Sequence, residues 1–195
     1  MIRVTDVLKP YLPEGLKYAN QTHLDRGTGV HAVCRDIAQG FYTVIDPAYQ
    51  GWVDSFSRWF DKMVDEVYET EFELISDYGF KGHPDFLGRL KTGETDLVDY
   101  KTGAWDNYWK LQLGAYWGML KDRDHKRPWQ GGLVKNTGLN PFPEIVFRQV
   151  GISVLMLQAD GSMAKLKRIE EPPGECYGEF LKVLSVHRFL GKEEA

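Results

Sequence analysis

Asp85 and Asp99 are separated by thirteen residues, and Lys101 follows Asp99 at a spacing of two. A β-strand alternates its side chains between two faces, so Asp99 and Lys101 on one strand share a face while Val98 and Tyr100 enter the opposite layer. Two carboxylates and an amine converging in this way suit a divalent metal. Mg²⁺ takes hard oxygen ligands, retains several waters and needs only one or two carboxylates besides the substrate phosphate. Such an ion polarises a phosphate oxygen and acidifies an attacking water, which are the requirements of phosphodiester hydrolysis. Lys101 beside it would orient the water or stabilise the charge that develops in the transition state. The same residues also compose an ordinary strand ion pair beside a hairpin, so spacing alone leaves both readings open.

The elements that must carry these residues are legible as changes of period. Val30, Val33, Cys34 and Ile37 form a helical stripe that Thr28 would cap and Gly40 would end, with His31 beside the stripe. Asp46-Pro47 reads as cap and first residue of a longer helix whose apolar positions run from Tyr49 through Phe56 and Phe60 to Val64 and Val67. From Thr70 the period becomes two, with Phe72 and Leu74 facing one way and Glu71 and Glu73 the other. A second strand from Asp85 to Leu90, a hairpin at Lys91-Thr92-Gly93-Glu94 and a third strand from Thr95 to Lys101 complete an antiparallel set. Thr102-Gly103 ends it.

A largely buried helix is expected over Asp106 to Leu120, followed by a charged loop. Strand-like segments then run over Ile145 to Leu157 and Met163 to Ile169, around a turn at Asp160-Gly161, and a last helix covers Glu175 to Leu190. The passage from Gly131 to Pro143 has no readable period. No internal repeat or linker divides the chain, so one domain over residues 1–195 is expected.

The ordered motifs resemble those of the PD-(D/E)xK nuclease superfamily, in its RecB-like exonuclease branch. Arg26-Gly27-Thr28-Gly29-Val30-His31 is similar to that branch's helical histidine motif, and Gly82-His83-Pro84-Asp85 to its first acidic motif. Val98-Asp99-Tyr100-Lys101-Thr102-Gly103 resembles the central motif. Gln112-Leu113-Gly114-Ala115-Tyr116 is similar to the glutamine-and-tyrosine helix motif that follows. The resemblance spans about residues 26 to 116 and is most specific in the central six.

It implies an α/β fold with a restriction-endonuclease-like core, a mixed central β-sheet flanked by helices. It further implies a metal site of His31, Asp85, Asp99 and the main-chain carbonyl of Tyr100, with Lys101 as catalytic lysine. Members of the branch often carry a glutamate on the strand before the first acidic motif; Glu71 is slightly preferred for that place over Glu73. Gln112 and Tyr116, at i and i+4 on one side of a helix, would hold a DNA phosphate or orient Lys101. They serve equally as hydrogen-bonding groups at the edge of a core.

The implied cofactor is Mg²⁺ or Mn²⁺, and a histidine ligand suits Mn²⁺ better than an all-oxygen site would. The implied substrate is DNA, hydrolysed in recombination, repair or phage DNA processing. An exonuclease is favoured over a structure-specific or restriction-like endonuclease, and over a catalytically silent DNA-binding module of the same fold.

Composition bounds these expectations. With 195 residues, 43% apolar and 13% aromatic, the chain can build a sizeable core. A net charge of −4 argues against coating nucleic acid by bulk electrostatics. The best local basic cluster is Lys121, Arg123, His125, Lys126 and Arg127 with Trp129 nearby, either a backbone-binding patch or a solvated loop. Two cysteines, Cys34 and Cys176, cannot supply the four ligands of an iron–sulfur cluster, which some related nucleases carry. There is no phosphate-binding Gly-x-x-x-x-Gly-Lys loop, so a helicase or recombination partner would be a separate polypeptide. No segment has the apolar length of a membrane span, and the expected location is the cytoplasm of a prokaryote, or of a prokaryotic host if the chain is phage-encoded.

Overall fold

The strand expected over Thr95–Lys101 is the centre of a five-stranded sheet in the computed structural model, which describes residues 1–12, 21–126 and 149–191 and, within these, no side chains for 124–126. In chain order the strands are β1 (Ile2–Arg3), β2 (Val64–Thr70), β3 (Leu74–Ile75), β4 (Phe80–Gly82), β5 (Phe86–Leu90), β6 (Thr95–Lys101), β7 (Val150–Met156) and β8 (Lys165–Arg168). The helices are α1 (Val4–Leu8), α2 (Gln21–Ala38), α3 (Gln50–Met63), α4 (Trp109–Lys126) and α5 (Pro173–Phe189). The larger sheet has the order β2-β5-β6-β7-β8, antiparallel except for the parallel pair β6 and β7. A small sheet, β1-β4-β3, stands apart from it.

The chain is thus a mixed α/β protein with helices on both faces of the larger sheet. Alternation along β6 and β7 separates two apolar layers. Leu97, Ile152 and Val154 pack with Leu113, Met119 and Leu120 of α4 and Phe180 and Leu184 of α5. Val98, Tyr100 and Leu155 pack with Val30 and Cys34 of α2 and Phe56 and Trp59 of α3. Each layer removes several large side chains from water, at about 1.5–3 kcal/mol per fully buried residue. Among the described residues no helix is long and apolar enough to cross a membrane.

Several boundaries differ from the sequence expectation, each for a physical reason. Helix α2 starts at Gln21 rather than after Thr28, whose hydroxyl donates to the Leu24 carbonyl at 3.1 Å as an interior helix residue does. Its end follows the expected logic. Gly40 takes φ +76°, the Phe41 N–H donates to the Asp36 carbonyl and the Gly40 N–H to the Ile37 carbonyl, a Schellman closure. Asp46 accepts from the Ala48 N–H at 2.9 Å, but the turn it caps is a 3-10 turn over Pro47–Tyr49 that leads into α3.

Val64 and Val67, which continue the helical stripe in sequence, belong to β2. The Met63 carbonyl accepts from the Lys91 N–H at 2.8 Å, so the hairpin takes the acceptor that a further helical turn would need. Irregularities at Val64/Glu66 and Val67/Glu69 break the period of two along β2 and hide the strand from pattern reading. The strand therefore ends at Thr70, where one was expected to begin, and Phe72 lies outside any strand. Helix α4 continues through the expected charged loop to Lys126. Within the expected Ile145–Leu157 strand, 145–148 lie outside the described residues, as does the Gly131 to Pro143 passage.

Candidate metal and catalytic centre

The strand order brings the end of β2, the start of β5 and the end of β6 to one end of the sheet, with α2 across one face and α4 across the other. His31 projects from α2, Glu71 follows β2, Asp85 precedes β5, and Asp99 and Lys101 share a face of β6.

His31, Glu71 and Asp85 each offer a ligand atom, and these atoms lie within 4.8 Å of one another. His31 Nδ1 stands 3.2 Å from Asp85 Oδ1. The other Asp85 oxygen accepts from the Tyr100 N–H at 2.6 Å, and the Glu71 N–H donates to the Asp85 carbonyl at 3.0 Å. Asp85 is buried, while His31 and Glu71 keep partial access to solvent, so the group has a closed back and an open front. The Tyr100 ring meets the His31 ring edge-on, with centroids 5.7 Å apart, and packs against the imidazole.

Asp99 stands outside this trio. Its Oδ2 is paired with Lys101 Nζ, and its Oδ1 accepts from Gln112 Nε2 at 3.2 Å. Gln112 also donates to the Tyr116 hydroxyl at 2.9 Å, so the two α4 residues form a buried chain that ends on Asp99. That places them as positioning groups for Asp99. Tyr116 fits only because Gly82 has no side chain: a Cβ there would lie 2.3 Å from the ring. Lys101 Nζ also sits 5.4 Å from the centre of the Trp109 ring, a contact that sequence reading missed because Trp109 scans simply as a core residue.

Glu73 turns away from the site. It accepts from Lys81 Nζ at 2.8 Å, with His83 Nε2 at 3.4 Å. Glu71 takes the place instead through an unusual backbone, φ +47°, the left-handed region that side chains seldom adopt. Tyr100 meets the site through its main-chain N–H, which donates to Asp85.

Charge explains why this end of the sheet suits a cation. Burial, then the Asp85 charge, push the Glu71 carboxyl up to about 7. Burial also pushes Asp85 up, but the His31 charge and hydrogen bond, Lys101 and the Tyr100 N–H outweigh it and hold the carboxyl below its ordinary value. For His31, burial acts downward and the Asp85 charge and hydrogen bond overcome it, so the ring holds its proton more tightly than usual. Burial raises Asp99 against the pull of Lys101, and the Asp99 charge keeps Lys101 an ammonium despite its desolvation. With the three carboxylates ionised and His31 neutral, as a metal ligand must be, the group and Lys101 together carry a charge of −2 that a divalent ion would neutralise. Two carboxylates and an imidazole nitrogen are a donor set that Mg²⁺ and Mn²⁺ accept.

The basic cluster is divided. Arg123 makes a bidentate pair with Glu69 at 2.9 and 3.0 Å, and Lys121 lies over the Trp117 ring. The Lys126 side chain and Arg127 lie outside the described residues. Compared with protein-family models and with curated proteins, the chain matches none.

Proposed function

We propose that this protein is a metal-dependent deoxyribonuclease of the PD-(D/E)xK type, with a restriction-endonuclease-like core and exonuclease action favoured. The observation that carries the reading is the adjacency of the His31, Glu71 and Asp85 ligand group to the pair of buried Asp99 with half-buried Lys101. The order of elements supports it: a helix, three antiparallel strands, a helix and a strand parallel to the third put all five side chains at one sheet end. His31, Glu71 and Asp85 would hold Mg²⁺ or Mn²⁺, which supplies Lewis acidity toward a phosphate oxygen and an acidified water.

The chain's own groups do the rest. Asp85 is fixed by the Tyr100 N–H, so its other oxygen is aimed at the ligand group without rotamer search. Lys101, an ammonium beside Asp99, presents a positive charge to a phosphate at the open front and stabilises the charge that builds on its oxygens. Gln112 and Tyr116 hold Asp99, and through it the ammonium, in place.

The test is a cleavage assay over linear, covalently closed circular, single-stranded and duplex DNA with Mg²⁺, Mn²⁺ or chelator, beside Asp99→Ala. Metal-dependent cutting of linear DNA that spares the closed circle and is lost in the variant is expected. Cutting of the closed circle would replace the exonuclease by an endonuclease. Absence of both cleavage and metal binding in the wild type would overturn the reading.

A further inference from the structure

The end of the sheet that carries the site continues past it. Along β2-β5-β6-β7-β8, that edge runs from Glu71 through Asp85 and Lys101 to Met156 at the end of β7 and Lys165 at the start of β8. Register fixes which side chains share its face. Asp99 pairs with Val154 and Val154 with Lys167; Lys101 pairs with Met156 and Met156 with Lys165. Val154 and Met156 belong to the apolar layer under α4, while Leu155 and Leu166 belong to the opposite layer. Lys165 and Lys167 therefore lie on the same face as Asp99 and Lys101, two strands away, or about 9.6 Å at the usual strand spacing of ~4.8 Å.

A line of contacts joins the two pairs. Lys101 lies over Trp109, Trp109 meets Trp105 edge-on with centroids 5.7 Å apart, and Lys167 Nζ sits 3.8 Å from the centre of the Trp105 ring. The ring holds the Lys167 ammonium in place without neutralising it. Both edge lysines are exposed, and neither is ion-paired among the described residues, although Lys165 acts electrostatically on Asp160. Arg168, the remaining cation of β8, is consumed by Glu94 and Asp96. Lys165 and Lys167 are about 6.7 Å apart along the strand, a step that matches successive phosphates of a polynucleotide.

We infer that Lys165 and Lys167, with Trp105 as positioning residue, bind the phosphate backbone of the nucleic-acid strand whose scissile phosphate lies at Lys101. This rests on the nuclease reading for the identity of the strand. Two phosphate contacts on one side of the site would hold the strand in register while Lys101 addresses the bond to be cut.

The test measures binding and cleavage separately. Binding of a fluorescein-labelled single-stranded oligodeoxynucleotide is followed by anisotropy in EDTA over a salt series, for the wild type, Lys165→Ala/Lys167→Ala, Lys167→Arg and Trp105→Ala. Loss of two contacts flattens the slope of log affinity against log salt by about 1.4 for a single strand. Lys167→Arg keeps the wild-type slope, and Trp105→Ala, measured well below its melting transition, weakens binding. Cleavage with Mn²⁺ is assayed in parallel.

If the wild type cuts DNA and the double variant binds with an unchanged slope, the lysine track is overturned while the nuclease reading stands. If the slope falls as expected but no preparation cuts DNA or binds Mn²⁺, the track stands and the nuclease reading fails. An oligonucleotide that does not bind the wild type overturns the track.

Discussion

Asp85 spends its two oxygens on two different layers: Oδ1 lies 3.2 Å from His31 Nδ1 on a helix, and Oδ2 accepts from the Tyr100 N–H at 2.6 Å on the central strand. One carboxylate thereby ties the histidine of α2 to the strand that carries Asp99 and Lys101.

His31→Ala is expected to weaken Mn²⁺ binding, measured by titration calorimetry, by at least about 10- to 100-fold, since even an outer-shell partner of a metal ligand is worth that much. Asp85 also loses the partner that holds its carboxyl down, so its protonation moves to higher pH. His31→Asn should restore part of the affinity; equal affinity in the Ala variant and the wild type would remove His31 from the site.

Metal affinity and metal-free stability should move oppositely with pH. Glu71 is held up to about 7 in the folded chain against an ordinary 4.5, so its contribution to stability is fully present below pH 4.5 and is lost as pH rises through about 7. His31 acts in the same sense: its raised value gives stability below 6.5 that disappears as pH rises through the folded value. Asp85 opposes them only in acid, because its lowered carboxyl loses stability as pH falls through the folded value. Melting curves without metal should fall in temperature from pH 5 to pH 8, and added Mn²⁺ should raise them most at pH 8, where Glu71 is ionised. A metal-induced shift that is larger at pH 5 would contradict this.

Glu71→Gly should stabilise the metal-free protein at pH 8 by about 1 kcal/mol, because glycine accepts the φ +47° backbone without strain and removes a poorly solvated carboxylate. The same substitution should abolish the metal-induced rise in melting temperature. A loss of stability would mean that the backbone at Glu71 carries no strain worth relieving.

Lys101→Met should reduce cleavage by about 10²- to 10³-fold, the usual effect of losing one charge-stabilising donor, while Mn²⁺ binding persists because Lys101 is not a ligand. It leaves the buried Asp99 facing only Gln112, at a stability cost of about 1–3 kcal/mol. An unchanged metal-dependent rate would end the proposed role for the lysine.

Gly82→Ala should push the Tyr116 ring, break its bond with Gln112 and destabilise the fold by about 1–3 kcal/mol through overpacking. Tyr116→Ala in the same chain vacates the space, so the two substitutions should be less than additive in a double-mutant cycle. Strict additivity in denaturant melts would show that the contact does not matter.

The elements whose side chains repeat regularly, and the residue types at the site, were legible along the chain. β6 runs over Thr95–Lys101 as its alternation indicates, the hairpin at Gly93 closes where a turn residue stands, and α5 lies within two residues of its expected bounds. Local chemistry suffices there, because period and turn preference are properties of neighbouring residues. The assembled fold settled the rest. It ended α3 at Met63 through an acceptor taken by Lys91, hid β2 behind its irregularities, and chose Glu71 over Glu73 through a left-handed residue that no period encodes. It also set Asp99 against Gln112, beside rather than within the His31, Glu71 and Asp85 group. Those choices depend on partners 13 to 54 residues away in the chain, and on which of two acids burial and charge can tolerate, so they are settled only when the sheet has formed.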